Sequence, residues 1–181
     1  MDFKLSETQE MFRRAIRDFC EKEIRPVAQK LDEEEKFPYE IYDKLIQLGL
    51  PGIPFPEKYG GAGGDWLTWT IAFEEISRIS AGVAMAEAYV LFAPPIYFVG
   101  NEEQKQKYLP AVIRGEIKGC FALSEPNAGS DAASIQLAAE EKQDCYLLNG
   151  NKIFATNARV FIYLLFQFQF HFHHQTHQGV S

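Results

Sequence analysis

Apolar positions near the start of the chain recur every three or four residues, as one face of an amphipathic helix requires. Phe12, Ile16, Phe19, Ile24, Val27 and Leu31 form that series. Ser6, followed three residues later by Gln9, has the spacing of a capping box and marks the helix start. Pro26 interrupts the series. It brings no N–H and its ring crowds the preceding turn, so the pattern predicts a kink or break near Arg25. Phe37-Pro38 opens a second helix carrying Ile41, Leu45 and Leu48, and Gly49 is a natural stop. Residues 49–64 concentrate Pro and Gly and read as a loop.

A third helix is predicted over Thr68–Ser80, with Ile71, Phe73, Ile76 and Ile79 apolar. A fourth, Gly82–Phe92, is small and apolar nearly all round, the pattern of a buried helix; Pro94-Pro95 is expected to break it. Asn101 caps a charged helix, Glu102–Leu109, expected on the surface. From Lys118 the period shortens toward two. Gly119–Leu123, Ile135–Glu140, Cys145–Leu148 and Lys152–Thr156 read as strands, with Asn149-Gly150 predicting a tight hairpin between the last two. The fold class expected is α+β: an N-terminal all-helical domain over residues 1–117, then a truncated antiparallel β domain over 118–166. No internal repeat is visible.

Composition sharpens the picture. With 181 residues and 46% apolar side chains the chain has ample material for a core, which excludes a disordered chain. Its 18 basic and 25 acidic residues leave a net charge of −7 with no basic patch, so nucleic acid is not an expected partner. Cys20, Cys120 and Cys145 are widely spaced and include no CxxC, which supports neither a disulfide scaffold nor a zinc site. Met1-Asp2-Phe3-Lys4 runs directly into the helical pattern without the look of a signal peptide, and a cytoplasmic protein without membrane contact is expected.

The charges stop at Arg159. Residues 167–181 form an uncharged tail of Phe, Gln and His, set apart as an aberrant segment and best explained by translation of a shifted or intronic reading frame. His171, His173, His174 and His177 lie close together, but their spacing matches no familiar metal site and neither Cys nor carboxylate accompanies them. No metal is expected.

The stretch that bears on chemistry is Phe121-Ala-Leu-Ser-Glu-Pro-Asn-Ala-Gly-Ser-Asp131. A short strand ends in a Pro, Asn and Gly turn that presents Ser124, Ser130 and Asp131. Turn N–H groups beside hydroxyls suit a ligand that is electron-rich at one edge. The same residues also suit an ordinary strand-to-loop transition with Ser and Asn as turn formers. The residue types alone leave both readings open.

This stretch resembles the signature of the acyl-CoA dehydrogenases, and other segments agree in order and spacing: Leu5-Ser-Glu-Thr-Gln9, Phe55-Pro-Glu-Lys-Tyr-Gly-Gly61, Gly100-Asn-Glu-Glu-Gln-Lys-Gln-Lys-Tyr-Leu109 and Leu148-Asn-Gly-Asn-Lys-Ile-Phe-Ala-Thr-Asn157. The resemblance covers about residues 2–157. It implies a helical N-terminal domain, a middle β domain and a C-terminal helical bundle, with FAD between the last two. It further implies that Phe121, Leu123, Ser124, Gly129 and Ser130 contact the flavin, that Phe154, Ala155 and Thr156 flank its other edge, and that Ser130 also lies near the thioester. Hydride uptake at flavin N5 places negative charge on the N1–C2=O edge, where fixed donors such as Ser124 stabilise it. Position 154, often Trp in the family, is Phe here; the apolar wall stays and an indole N–H is lost. Ala84, Met85, Ala88 and Leu91 match the helix that lines the acyl pocket.

The reaction implied is α,β-dehydrogenation of an acyl-CoA thioester, with electrons passing to an electron-transfer flavoprotein and subunits forming homotetramers. The family's base is a Glu, in the C-terminal bundle or on an adjacent helix, and that bundle is not found in these residues. Glu74, Glu75, Glu125 and Asp131 match structural positions, so no catalytic residue is assigned, and this chain is expected to be inactive as it stands. Two other classes are weighed beside this reading: an acyl-CoA oxidase, which passes its electrons to oxygen, and a non-catalytic helical interaction module.

Overall fold

A computed structural model describes residues 4–86, 89–158, 163–166 and 169–170. They fall into two compact units, residues 1–121 with 156–164, and residues 122–155 with 165–181. The first is built from helices α1 (Glu7–Phe19), α2 (Arg25–Glu33), α3 (Tyr39–Gln47), α4 (Trp66–Ile79), α5 (Ala81–Ala86), α6 (Tyr89–Val99) and α7 (Glu102–Ile113). Among the described residues no helix is long and apolar enough to cross a membrane.

Local signals account for most of the helix ends. The Ser6 hydroxyl accepts the Gln9 N–H and the Gln9 side chain accepts the Ser6 N–H, a complete capping box. The predicted break near Arg25 takes the form of a π-helical turn, Cys20–Ile24, where the Arg25 N–H reaches back five residues to the Cys20 carbonyl. The wider turn accommodates Pro26 at the start of α2. Gly49 adopts φ +74° and stops α3 as expected.

Buried side chains of α1, the π turn, α3, α4 and α5 form the main helical core, with Ile16, Cys20, Ile24, Leu45, Ala72, Ile76 and Val83 among its members. One carboxylate lies inside this layer. Glu75 takes both Nε (2.9 Å) and Nη2 (2.7 Å) of Arg17 and a further bond from Arg78 Nε (3.1 Å), joining α1 to α4. The Arg17 bonds, then Arg78, hold its pKa below the ordinary value.

One helical-unit expectation is refined and two are corrected. The loop over residues 49–64 contains 3-10 turns at Leu50–Gly52 and Glu57–Tyr59, and its first part is buried. Aromatic rings hold it down: Phe55 meets Trp66 and Tyr97 edge to face at 5.7 and 5.5 Å, and the Tyr59 hydroxyl donates to Glu102. The charged helix continues to Ile113 and buries Leu109, Val112 and Ile113 at its C-terminal end, because the apolar residues follow the charged ones on the same helix. The fourth predicted helix, Gly82–Phe92, is described as α5 and α6 on either side of residues 87–88, which lie outside the described residues. Pro94 and Pro95 lie inside α6 and do not end it. Their fixed φ is helical; the two bonds lost are offset by burial of Phe92, Ala93 and Ile96 and by packing against α7.

The strands are β1 (Gly119–Ala122), β2 (Ala138–Glu141), β3 (Tyr146–Asn149), β4 (Tyr163–Phe166) and β5 (Gln169–Phe170). β1 pairs with β4, and β2 lies between β3 and β5. β2 and β3 are antiparallel, with Ala139 opposite Leu148; the short β5 joins β2 in parallel, Ala138 opposite Gln169. The predicted strand Lys152–Thr156 and its Asn149-Gly150 hairpin are absent among the described residues; β3 ends at Asn149 and the chain continues in irregular backbone. Gly150 serves a different need, since a Cβ there would stand 2.8 Å from Leu137 Cα.

Gly119 is the tightest joint between a strand and a helix of the first unit. A Cβ at this position would lie 2.1 Å from Cγ of the buried Phe92 ring. Gly119→Ala is expected to destabilise the chain by about 1–3 kcal/mol through overpacking, read as a lower denaturant midpoint; an unchanged midpoint would show that Phe92 does not cover this backbone.

Candidate functional site

The Pro, Asn and Gly segment after β1 folds around one residue. Glu125 N–H donates to the Ala128 carbonyl (2.7 Å) and Ala128 N–H returns the bond (3.2 Å), with Pro126 at the second position of the turn, where its fixed φ is favourable. Pro126 and Asn127 are exposed at the tip, and Gly129, Ser130 and Asp131 follow on the surface. Asp131 closes the next turn: its carbonyl accepts the Ser134 N–H and its carboxylate the Ser134 hydroxyl. Ile135 and Leu137 then turn inward.

The Glu125 side chain points the other way, into the unit. Its carboxylate accepts the N–H groups of Gln136 (2.7 Å) and Leu137 (2.9 Å) and the ammonium of Lys152 (2.9 Å). The two charged side chains are 5% and 6% exposed. The Gln136 N–H above all, with Lys152 and the Leu137 N–H, pulls the Glu125 carboxyl down to about 2 against the opposing effect of burial. A charge buried this far persists only with its lone pairs satisfied, and here they are.

Lys152 has a second bond, from Nζ to the Leu123 carbonyl at 2.8 Å. The next residue adds a third tie, Ile153 N–H to the Ser124 carbonyl at 2.9 Å. Residues 123–124 and 152–153 are therefore laid side by side although nearly thirty positions separate them. The Ile153 N–H and the Lys152 ammonium of this predicted strand are thus committed to the Leu123–Glu125 segment and not to β3.

The structure thus brings Leu123 and Ser124, both half-buried, next to the segment that leads into Phe154 and Ala155. Phe154 is unusual on two counts. Its ring is 88% exposed, and its φ of +53° is left-handed, a conformation costly for a bulky residue. Gly129 and Ser130 lie on the exposed turn of the same unit. Phe121 and Thr156 are half-buried residues of the helical unit. Of the acyl-pocket residues, Ala84 is part of the helical core, Met85 and Leu91 are 50% and 45% exposed, and Ala88 lies outside the described residues. The four histidines lie outside them as well.

The four carboxylates set aside as base have structural surroundings. Glu125 and Glu75 are buried in ion pairs, Asp131 holds Ser134, and Glu74 is exposed on α4. Lys152 and Asn157 were not singled out from the sequence. No periodicity or local motif pairs Lys152 with a glutamate 27 residues away.

Because the Glu125 pKa is lowered from an ordinary 4.5 to about 2 on folding, its contribution is complete above pH about 4.5 and is lost as pH falls toward about 2. Glu125→Gln is expected to lower the melting temperature at pH 7, with the gap to the unsubstituted chain closing across that window. A gap independent of pH would contradict the ionised, paired state of Glu125.

Comparison with known proteins agrees with this construction. The acyl-CoA dehydrogenase N-terminal domain matches residues 6–116, and the acyl-CoA dehydrogenase middle domain matches residues 120–181. A short-chain specific acyl-CoA dehydrogenase of Clostridium acetobutylicum is 46% identical over 162 residues, covering 88% of this chain and 43% of that protein. The structure of butyryl-CoA dehydrogenase from Megasphaera elsdenii superimposes with a TM-score of 0.83 at 40% identity, over 92% of this chain and 45% of that one. An FAD complex of PigA gives a TM-score of 0.82 at 28% identity, over 92% and 44%. The chain spans under half the length of these relatives. Matched along both its helical and its β portions, it belongs to the acyl-CoA dehydrogenase family.

Proposed function

We propose that this chain supplies the flavin-edge and acyl-facing residues of an FAD-dependent dehydrogenase that forms the α,β double bond of an acyl-CoA thioester, short acyl chains first among them. The observation that carries the reading is the stitching of Leu123–Ser124 to Lys152–Ile153, which brings two distant stretches of the family signature together.

The residues present fit the cofactor chemically. An exposed aromatic ring held in a strained backbone is a surface waiting for a flat partner, and Phe154 is one. Ser124 and Thr156 bring hydroxyl donors, and Ser130 with Gly129 offers a hydroxyl and backbone N–H on the exposed turn. In this reading Phe121, Leu123, Phe154 and Ala155 provide apolar walls, while Ser124 and Thr156 hold the polar edges of the ring. FAD, when bound, supplies the hydride acceptor. Ser124 does its work by offering a fixed donor where negative charge accumulates, without reorganising water at the moment of reaction. Ala84, Met85, Ala88 and Leu91 are assigned to the acyl side, and Ser130 to the thioester. No base is assigned among these residues: Glu75 and Glu125 are held in ion pairs, Asp131 in a turn, and Glu74 is exposed on α4. An electron-transfer flavoprotein is the proposed acceptor and a homotetramer the proposed assembly.

Titration of the purified chain with FAD, followed by quenching of flavin fluorescence, tests the reading; saturable uptake near one per chain is expected, and a folded chain that takes up none overturns it. Phe154→Asn separates function from stability. Asn tolerates left-handed φ, so the substitution should raise stability by about 1 kcal/mol while weakening FAD binding roughly threefold to tenfold by loss of the ring contact. Undiminished FAD affinity would remove Phe154 from the flavin wall.

A further inference from the structure

Two main-chain carbonyls of α5, those of Met85 and Ala86, accept hydrogen bonds from a residue some seventy positions later: Asn157 Nδ2 lies 3.0 Å from the Ala86 oxygen and 3.4 Å from that of Met85. Both belong to the helical unit, as does Thr156, the neighbour of Asn157 in the turn over residues 156–158.

The choice of residue is restricted twice. Asn157 has φ +66°, a region that favours Gly and Asn over other side chains. It must also carry a donor, because both of its partners are carbonyls. Gly meets the first condition and fails the second. Asp tolerates the backbone but presents acceptors to two acceptors. Only Asn meets both with a short side chain.

We propose that Asn157 is a positioning residue that fixes the acyl-side helix α5 to the turn carrying Thr156, so that the acyl site is set relative to that residue. The inference rests on the function proposed above. Ala84 and Met85 are on α5, Thr156 is adjacent to the anchor, and a bidentate amide joins the two. Asn157 touches neither the thioester nor the ring in this assignment; it acts through α5. Discrimination between acyl chains is what a displaced α5 alters.

Asn157→Gly and Asn157→Asp are made in the full chain. Amide hydrogen exchange, read by mass spectrometry without any added ligand, is expected to be roughly tenfold faster over residues 81–86 in both variants, with Asp the more severe, as the loss of one to two net hydrogen bonds implies. Unchanged exchange there overturns the anchor. With FAD loaded, butyryl-CoA and octanoyl-CoA are titrated by their shift of the flavin absorbance. The ratio of the two dissociation constants is expected to move by about fivefold in the Gly variant while FAD affinity holds within twofold. A helix that loosens with no change in that ratio reduces Asn157 to a structural cap and overturns the proposal. If the unsubstituted chain takes up no FAD, the functional reading fails and takes the acyl half of the proposal with it, while the exchange result still decides the anchor.

Discussion

A single buried ion pair organises the β-rich unit. Glu125 and Lys152 are almost wholly removed from water, and neither would stay charged there alone. Their geometry satisfies each of them several times over. The carboxylate takes two backbone N–H groups besides the ammonium, and the ammonium takes a backbone carbonyl besides the carboxylate. Three chain segments, 123–125, 136–137 and 152–153, meet at this point without a common sheet. Removing either partner leaves the other charge buried and uncompensated, so the arrangement is far costlier to break than its Coulomb attraction suggests.

The consequence for function is one of placement. Ser124 is small and polar and Phe154 is exposed, so little packing of their own holds these two in place. Their positions are borrowed from the pair beneath. The left-handed backbone at Phe154 follows the same logic, since strain of that kind survives only where neighbouring residues impose it. In the helical unit Glu75 plays a comparable part between α1 and α4, joined by Arg17 and Arg78, though its arginines remain in contact with solvent.

What was legible in the sequence was local. The Ser6–Gln9 capping box, the Asn101 cap, the disturbance at Pro26 and the stop at Gly49 are each decided by residues within one helical turn, and each is found in the structure. What was not legible depends on distant partners. Pro94-Pro95 reads as a break because the sequence does not reveal the burial that sustains α6 through it. Lys152–Thr156 reads as a strand because its residue types favour one, and Asn149-Gly150 strengthens that impression. The hydrogen bonds that claim this segment come from Leu123, Ser124 and Glu125, which no local period can announce. The site shows the same division. The family was readable from its motifs; the ties made by Lys152 and Asn157 became visible only in three dimensions.

Lys152, by pairing with Glu125 and bonding the Leu123 carbonyl, holds residues 123–125 and 152–153 together. The amide of Ile153 reports on this directly, because it donates to the Ser124 carbonyl across the joint. Hydrogen exchange at that amide, resolved by NMR in the unsubstituted chain and in Lys152→Met at pH 7, is the most direct measurement. The account predicts a slowly exchanging Ile153 amide whose protection is lost in the variant together with that of Gln136 and Leu137. An Ile153 amide equally protected in Lys152→Met would show that the two segments hold together without the pair, and would contradict it.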